Sequence, residues 1–136
     1  MKLLMFQARR FRFRTFLKTL ADADDQDVEE DLADVAVIFV HAEPEDETRR
    51  DKLFTTTLKN TKWLANKRSL KRIVLHSFTH LSSSKAEPDF ARTFLDDLAA
   101  RLRSAGYKVW ITPFGYTCEW DLSVHGESIA KVFKAL

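Results

Sequence analysis

Ile73-Val74-Leu75-His76-Ser77-Phe78-Thr79-His80-Leu81-Ser82-Ser83-Ser84 is the stretch on which the reading of the fold turns. An apolar, β-branched run that stops in imidazoles and hydroxyls is how a buried strand looks where it delivers side chains to a pocket at its end. The plainer reading is a core strand followed by a Ser-rich turn. A second stretch of the same design, Val109-Trp110-Ile111-Thr112-Pro113-Phe114-Gly115-Tyr116-Thr117-Cys118, also runs from apolar strand to polar loop. Two such ends are expected to meet and form one site.

Outward from this pair, Val35 to Val40 reads as a buried strand, followed by His41 and Ala42 and broken by Glu43-Pro44. A long helix is predicted from Glu45, with acids in its first turn and Lys67 and Arg68 in its last, both suited to the helix dipole. Phe54, Leu58, Thr61, Leu64 and Ala65 form its sheet-facing stripe. Pro88 and Asp89 open a second helix, whose Phe90, Phe94, Leu95, Leu98 and Leu102 recur at three and four before Gly106 stops it. Lys108 to Pro113 then reads as a strand, Gly115-Tyr116 as a turn, and Glu119 to His125 as a strand with Trp120, Leu122 and Val124 on one face. Ser128 is read as the cap of a short final helix presenting Ile129, Val132, Phe133 and Leu136. At the other end, Leu3 to Gln7 reads as a strand. Arg10-Phe11-Arg12-Phe13-Arg14 alternates as a second one, with Phe11 and Phe13 inward. Ala21 to Asp34, with eight acids and no base, reads as a solvated loop or marginal helix. The predicted class is α+β, a mixed sheet with helices packed on one side in the order ββ(βα)2ββ plus a C-terminal helix.

The chain of 136 residues has the size of one domain, and 1–136 is read as a single unit. An apolar fraction of 45% with eleven Phe, against six Pro and Gly together, excludes disordered and collagen-like classes. Cys118 is alone, so it has no disulfide partner and cannot supply a Cys-rich zinc cage. Met1 to Phe6 is too short for a signal sequence before Arg9-Arg10, and no apolar run reaches membrane-spanning length, so no membrane association and a cytoplasmic location are expected. The net charge of +2 conceals segregation: residues 1–20 hold six bases and no acid, 21–51 hold thirteen acids against two bases, and 52–72 hold seven bases and no acid. A separate basic face permits a polyanionic partner such as RNA. The row Arg10, Arg12 and Arg14 is a candidate for tracking nucleic-acid phosphates, with edge-strand protection the equal alternative.

Of the candidate chemistries, few survive. His76 and His80 stand four apart, but on an extended segment without His-Glu-Xaa-Xaa-His or a helping cysteine, so no metal is expected. There is neither a Gly-Xaa-Ser-Xaa-Gly elbow nor a phosphate-cradling glycine loop, and no cofactor is expected. Cys118 would be a nucleophile only if a base such as His80 or His125 lowered its pKa; a free cysteine is more often a small buried hydrophobe.

Taken together, Phe78-Thr79-His80-Leu81-Ser82-Ser83, the helix ending at Gly106, and Pro113-Phe114-Gly115-Tyr116 with the strand after it resemble the N-terminal editing domain of archaeal threonyl-tRNA synthetases. The likeness is strongest from Val74 to Ala130. It implies the fold of D-tyrosyl-tRNA deacylases and hydrolysis of the ester between a wrong amino acid, serine in the synthetase, and the terminal ribose of tRNA. It also implies a free-standing, trans-acting version. The implied partners are the aminoacylated 3′ end of tRNA and a threonyl-tRNA synthetase, with a homodimer left open. Ester hydrolysis needs an activated water and donors for the oxyanion, and backbone amides together with the substrate's own 2′-hydroxyl supply both.

By the same resemblance, His80 falls on the histidine of the amino-acid pocket, Ser82 lies beside it, and Pro113, Phe114, Gly115 and Tyr116 shape the pocket. Two positions depart from the family pattern: Thr117-Cys118 stands where Tyr-Lys is expected, and Lys131 stands where a glutamate is expected. One consequence is that the positive charge has moved across the pocket and Lys131 reads the substrate, with Cys118 leaving room for it. Two functions follow, a deacylase with altered specificity or a non-catalytic tRNA-binding relative.

Overall fold

The structure, a computed structural model, describes residues 1–136. The chain forms β1 (Lys2–Lys18), β2 (Glu29–His41), a 3-10 segment (Pro44–Arg49), α1 (Arg50–Asn66), β3 (Arg72–Ser77) and α2 (Pro88–Ser104). It continues with β4 (Lys108–Ile111), β5 (Tyr116–Val124), a 3-10 turn (Ser128–Ala130) and β6 (Lys131–Ala135). One sheet takes all six strands in the order β4-β3-β2-β1-β5, with β6 also paired to β1. β2, β3 and β4 are mutually parallel, which their connections through α1 and α2 require. β1 runs antiparallel to β2, β5 and β6. This is the expected α+β class, a mixed sheet with both helices on one face.

Side-chain parity decides which face is which. Leu3, Met5, Ala36, Ile38, Ile73 and Leu75 point to the helices and join Leu64 of α1 and Leu98 of α2 in a 21-residue core. The intervening residues Val35, Val37, Phe39 and Val74 point the other way, into a second cluster that also holds Phe11 and Phe13. A register shift between Ala8 and Arg10 changes the parity of β1, so that odd positions Phe11 and Phe13 reach this second face. The sheet curls over it, bringing Trp120 of β5 to 5.5 Å from the Phe39 ring.

Three local expectations are overturned. The two N-terminal strands are one bulged strand. The last part of the acidic segment, Glu29 to Asp34, belongs to β2, because its carboxylates lie across the sheet from arginines: Arg10 pairs with Asp31 at 2.8 Å and Arg12 with Glu29 at 3.2 Å, while Asp121 of β5 meets Arg12 from the other side at 2.7 Å. The final helix does not form beyond the turn Ser128–Ala130. Lys131 to Ala135 pairs as β6 with Lys2 to Phe6 instead, since the ladder to β1 partners its inward backbone groups and Val132 reaches the core beside Met5.

The start of β1 is tied down by charge. The Met1 ammonium is fully buried between Glu43 at 2.8 Å and Asp46 at 2.9 Å. Glu43 also meets Lys2 at 3.1 Å and accepts the Ser82 hydroxyl at 3.0 Å. Burial pushes the Glu43 carboxyl up, but the Met1 ammonium, Lys2 and Ser82 outweigh it and hold it at about 2. A carboxyl held below its ordinary value stabilises the fold fully above that value, and the contribution is lost as pH falls towards 2. Acid titration of stability is expected to show a steeper loss between about pH 4.5 and 2 in this chain than in Glu43→Gln. Superimposable acid profiles would disprove that role.

Candidate active site

The C-terminal ends of the parallel strands β3 and β4 open into a cleft of about 490 Å³, the usual ligand position beside a parallel sheet. The end of β3 delivers His76 and Ser77, and the turn that follows it carries Phe78, Thr79 and His80 along one side. The Phe78 ring lies 5.9 Å from His76 and 4.9 Å from His80. Thr112 follows directly on β4, the turn Pro113 to Gly115 comes next, and Tyr116 to Cys118 at the start of β5 continue the opposite wall. Trp120 of β5 and Thr19-Leu20 beyond β1 complete the enclosure.

Each wall is fixed to the core. His76 is buried, its Nδ1 is 2.7 Å from the Thr112 hydroxyl, and its ring lies 4.8 Å from Phe39. Burial, with a lesser push from His80, lowers its pKa to about 4, so it is a neutral imidazole at pH 7. The loop that carries His80 is clamped by a second imidazole: Leu81 N–H donates to His41 Nδ1 at 3.0 Å, and His41 Nε2 donates to the Ser84 carbonyl at 2.7 Å. Those two bonds set the tautomer of fully buried His41. On the other wall, the Gly115 carbonyl accepts from Thr19 N–H at 2.7 Å, Leu20 N–H at 3.2 Å and the Thr19 hydroxyl at 3.0 Å. Gly115 itself has φ +84°, and a Cβ there would stand 2.8 Å from that of Ala23, so only glycine makes this close approach.

The residues expected at the site are divided by the structure. His80 and Pro113 to Cys118 line the cleft. The Tyr116 hydroxyl is consumed elsewhere, accepting from Gln26 N–H at 2.9 Å and donating to the Asp24 carbonyl at 2.9 Å. Ser82 is not on the cleft wall; its hydroxyl serves Glu43. Lys131 is not there either: it sits on β6, and its ammonium donates to the Gly126 carbonyl at 3.2 Å. The expected relocation of charge into the pocket therefore does not occur. Arg10 and Arg12 are occupied by carboxylates, while Arg14 makes no ion pair. Sequence reasoning missed Thr112, Trp120 and Lys85 as lining residues, and gave His76 no role. Its place at the end of the apolar run Ile73-Val74-Leu75 was the available signal for the last.

No Asp or Glu lines the cleft, and Lys85 is its one lysine or arginine. Nor do any three His, Cys, Asp or Glu residues come together in a metal-binding arrangement. Burial pushes the Cys118 thiol up, so it is a thiol and not a thiolate at neutral pH. A protonated thiol is a poor nucleophile.

The curled sheet with helices on one face has a counterpart among solved structures. A c-Myc DNA unwinding element binding protein superposes with a TM-score of 0.70 over 100% of this chain and 99% of its own, at 11% identity. The shared architecture is that of the D-tyrosyl-tRNA deacylase-like fold. Residues 1–136 match the family described as the archaea-specific editing domain of threonyl-tRNA synthetase, and the chain belongs to that family. It is 33% identical over 105 residues to the threonine–tRNA ligase of Thermococcus kodakarensis, covering 77% of this chain and 17% of that one. Similar enzymes of Methanosphaera stadtmanae (28% over 138 residues) and Hyperthermus butylicus (29% over 138 residues) match 100% and 97% of the chain and 22% of their own length. The chain thus spans about a fifth of the curated relatives it matches. No helix is long and apolar enough to cross a membrane.

Proposed function

We propose that residues 1–136 act as an editing unit that hydrolyses the ester between a mischarged amino acid and the terminal ribose of tRNA, with seryl-tRNA(Thr) as the first substrate. It would act in the cytoplasm, where charged tRNA is used. Membership of the editing-domain family supports the reading. The observation that carries it is the chemistry of the cleft: hydroxyls, two imidazoles and an un-ionised thiol, with no carboxylate on its wall. Such a site has no side-chain nucleophile. It suits a reaction in which the neighbouring 2′-hydroxyl of the substrate guides the attacking water, while the protein orients the ester and stabilises the oxyanion.

In this scheme, His80 faces the amino acid from the β3 side, and the turn from Pro113 to Cys118 closes on its side chain. His76 acts through Thr112, holding the two strand ends at a fixed separation. tRNA is the partner, and Arg14 is the member of the arginine row free to meet a phosphate. Arg14→Ala is expected to reduce the salt slope of tRNA binding by about 0.7–0.9. An unchanged slope would remove it from the interface.

Deacylation of seryl-tRNA(Thr) beside threonyl-tRNA(Thr) tests the proposal, with faster hydrolysis of the seryl ester expected. Rates equal to buffer across a panel of L- and D-aminoacyl-tRNAs would overturn it. They would favour the second reading, a binding relative without turnover, to which the thiol of Cys118 in place of the family's lysine lends support.

A further inference from the structure

We infer that Arg92 is a specificity-determining positioning residue, which holds the Phe114 ring as a partition between two clefts and so limits the acyl side chain that fits. The inference rests on the ester-hydrolase reading above. Behind the Thr112–Phe114 segment lies a second cleft of about 340 Å³, and the two clefts share Thr112, Pro113 and Phe114 as a common wall. Arg92, on the first turns of α2, belongs to the second cleft only. Its guanidinium lies over the Phe114 ring, 5.0 Å from the centroid.

Two features make this contact the one that governs the wall. The first is what Arg92 leaves aside. Asp22, Asp24 and Asp96 line the same cleft, yet the only ion pair made by α2 is that of Asp97 with Arg50. The guanidinium is left to the aromatic face, where its attraction to the ring is electrostatic and planar stacking suits it. The second is the backbone on either side of Phe114. Thr112 is tied to His76, Pro113 has its φ fixed by its ring, and Gly115 is pinned by three hydrogen bonds from Thr19 and Leu20. With the backbone held, the remaining freedom of the partition is rotation of the Phe114 side chain. A ring that swings towards the second cleft enlarges the first. The cation on its face opposes that swing.

The test is binding of hydrolysis-resistant adenosine 3′-aminoacyl amides carrying a seryl or a leucyl group, measured by calorimetry on the parent, Arg92→Ala, Arg92→Lys and Phe114→Ala. The parent should prefer the seryl analogue. Arg92→Ala is expected to lower the seryl-to-leucyl affinity ratio by about fivefold, the scale of one partly exposed cation–π contact. Phe114→Ala should lower it by about tenfold or more, as removal of pocket wall does. Arg92→Lys, which keeps a cation within reach of the ring, should stay within roughly twofold of the parent. An unchanged ratio in Arg92→Ala overturns the partition, and so does an equal loss of affinity for both analogues, which would place the guanidinium against their common nucleoside. If the parent binds neither analogue, the ester-hydrolase reading falls and the partition with it. Binding with an unaltered ratio removes the partition alone.

Discussion

Seryl-tRNA(Thr) ending in 2′-deoxyadenosine is expected to be hydrolysed about 10²–10⁴-fold more slowly than the ribose form, the range associated with loss of a general acid–base group. The cleft wall offers no carboxylate, His76 is buried with its Nδ1 at Thr112, and the Cys118 thiol is un-ionised. Exposed His80 and Lys85 remain on the wall, but a vicinal hydroxyl adjacent to the ester is the group best placed to guide water. The corresponding barrier change is about 3–5 kcal/mol. Single-turnover rates on the two tRNAs measure it, with Kd determined separately so that weaker binding is not mistaken for slower chemistry. Equal rates would move the base to the protein, and exposed His80 would be the group to replace next.

The largest expected effect on stability lies at the start of β1. Asp46 is fully buried and accepts from three donors: the Met1 ammonium at 2.9 Å, Glu43 N–H at 2.7 Å and Arg49 at 3.2 Å. Removing one partner of a buried ion pair leaves the other charge stranded, at a cost of about 3–5 kcal/mol. Asp46→Ala should therefore lower the melting midpoint by roughly 10 °C in a chain of this size. Asp46→Asn should fall between, because an amide keeps an acceptor but not the charge. A midpoint within about 2 °C of the parent would mean that Glu43 alone satisfies the ammonium.

The sequence made the scaffold of the cleft legible and its electrostatic surroundings much less so. β3 and α2 were readable because an apolar run and a stripe at three and four each have one interpretation when punctuation agrees, as at Pro88 and Gly106. The C-terminal segment has two. Ile129, Val132, Phe133 and Leu136 fit a helix, but Val132 and Leu136 also fall on one face of an extended chain, and pairing with β1 decides between them. The resemblance assigns Lys131 to the pocket, whereas on β6 its ammonium donates to the Gly126 carbonyl. The Glu29–Asp34 segment misled for a different reason. Acids disfavour strands when considered singly, and their arginine partners lie roughly 20 residues or more away along the chain, where no local pattern reveals them. His41 and Thr112 were invisible as supports because a hydrogen bond between strand ends leaves no periodic trace.

The position of β1 carries a consequence for how the chain comes to its shape in time. β1 is the first strand to be synthesised, yet it lies inside the sheet, with β2 on one side and both β5 and β6 on the other. Its pairing of Lys2 with Ala135 closes nearly the whole span of residues 1–136. Loop closure of that span must precede the contacts that reward it, which is the condition for slow folding. On a ribosome, a hairpin of β1 and β2 would form early and wait with one edge unpaired until β5 and β6 emerge. That interval is when the nascent chain is most open to wrong strand partners.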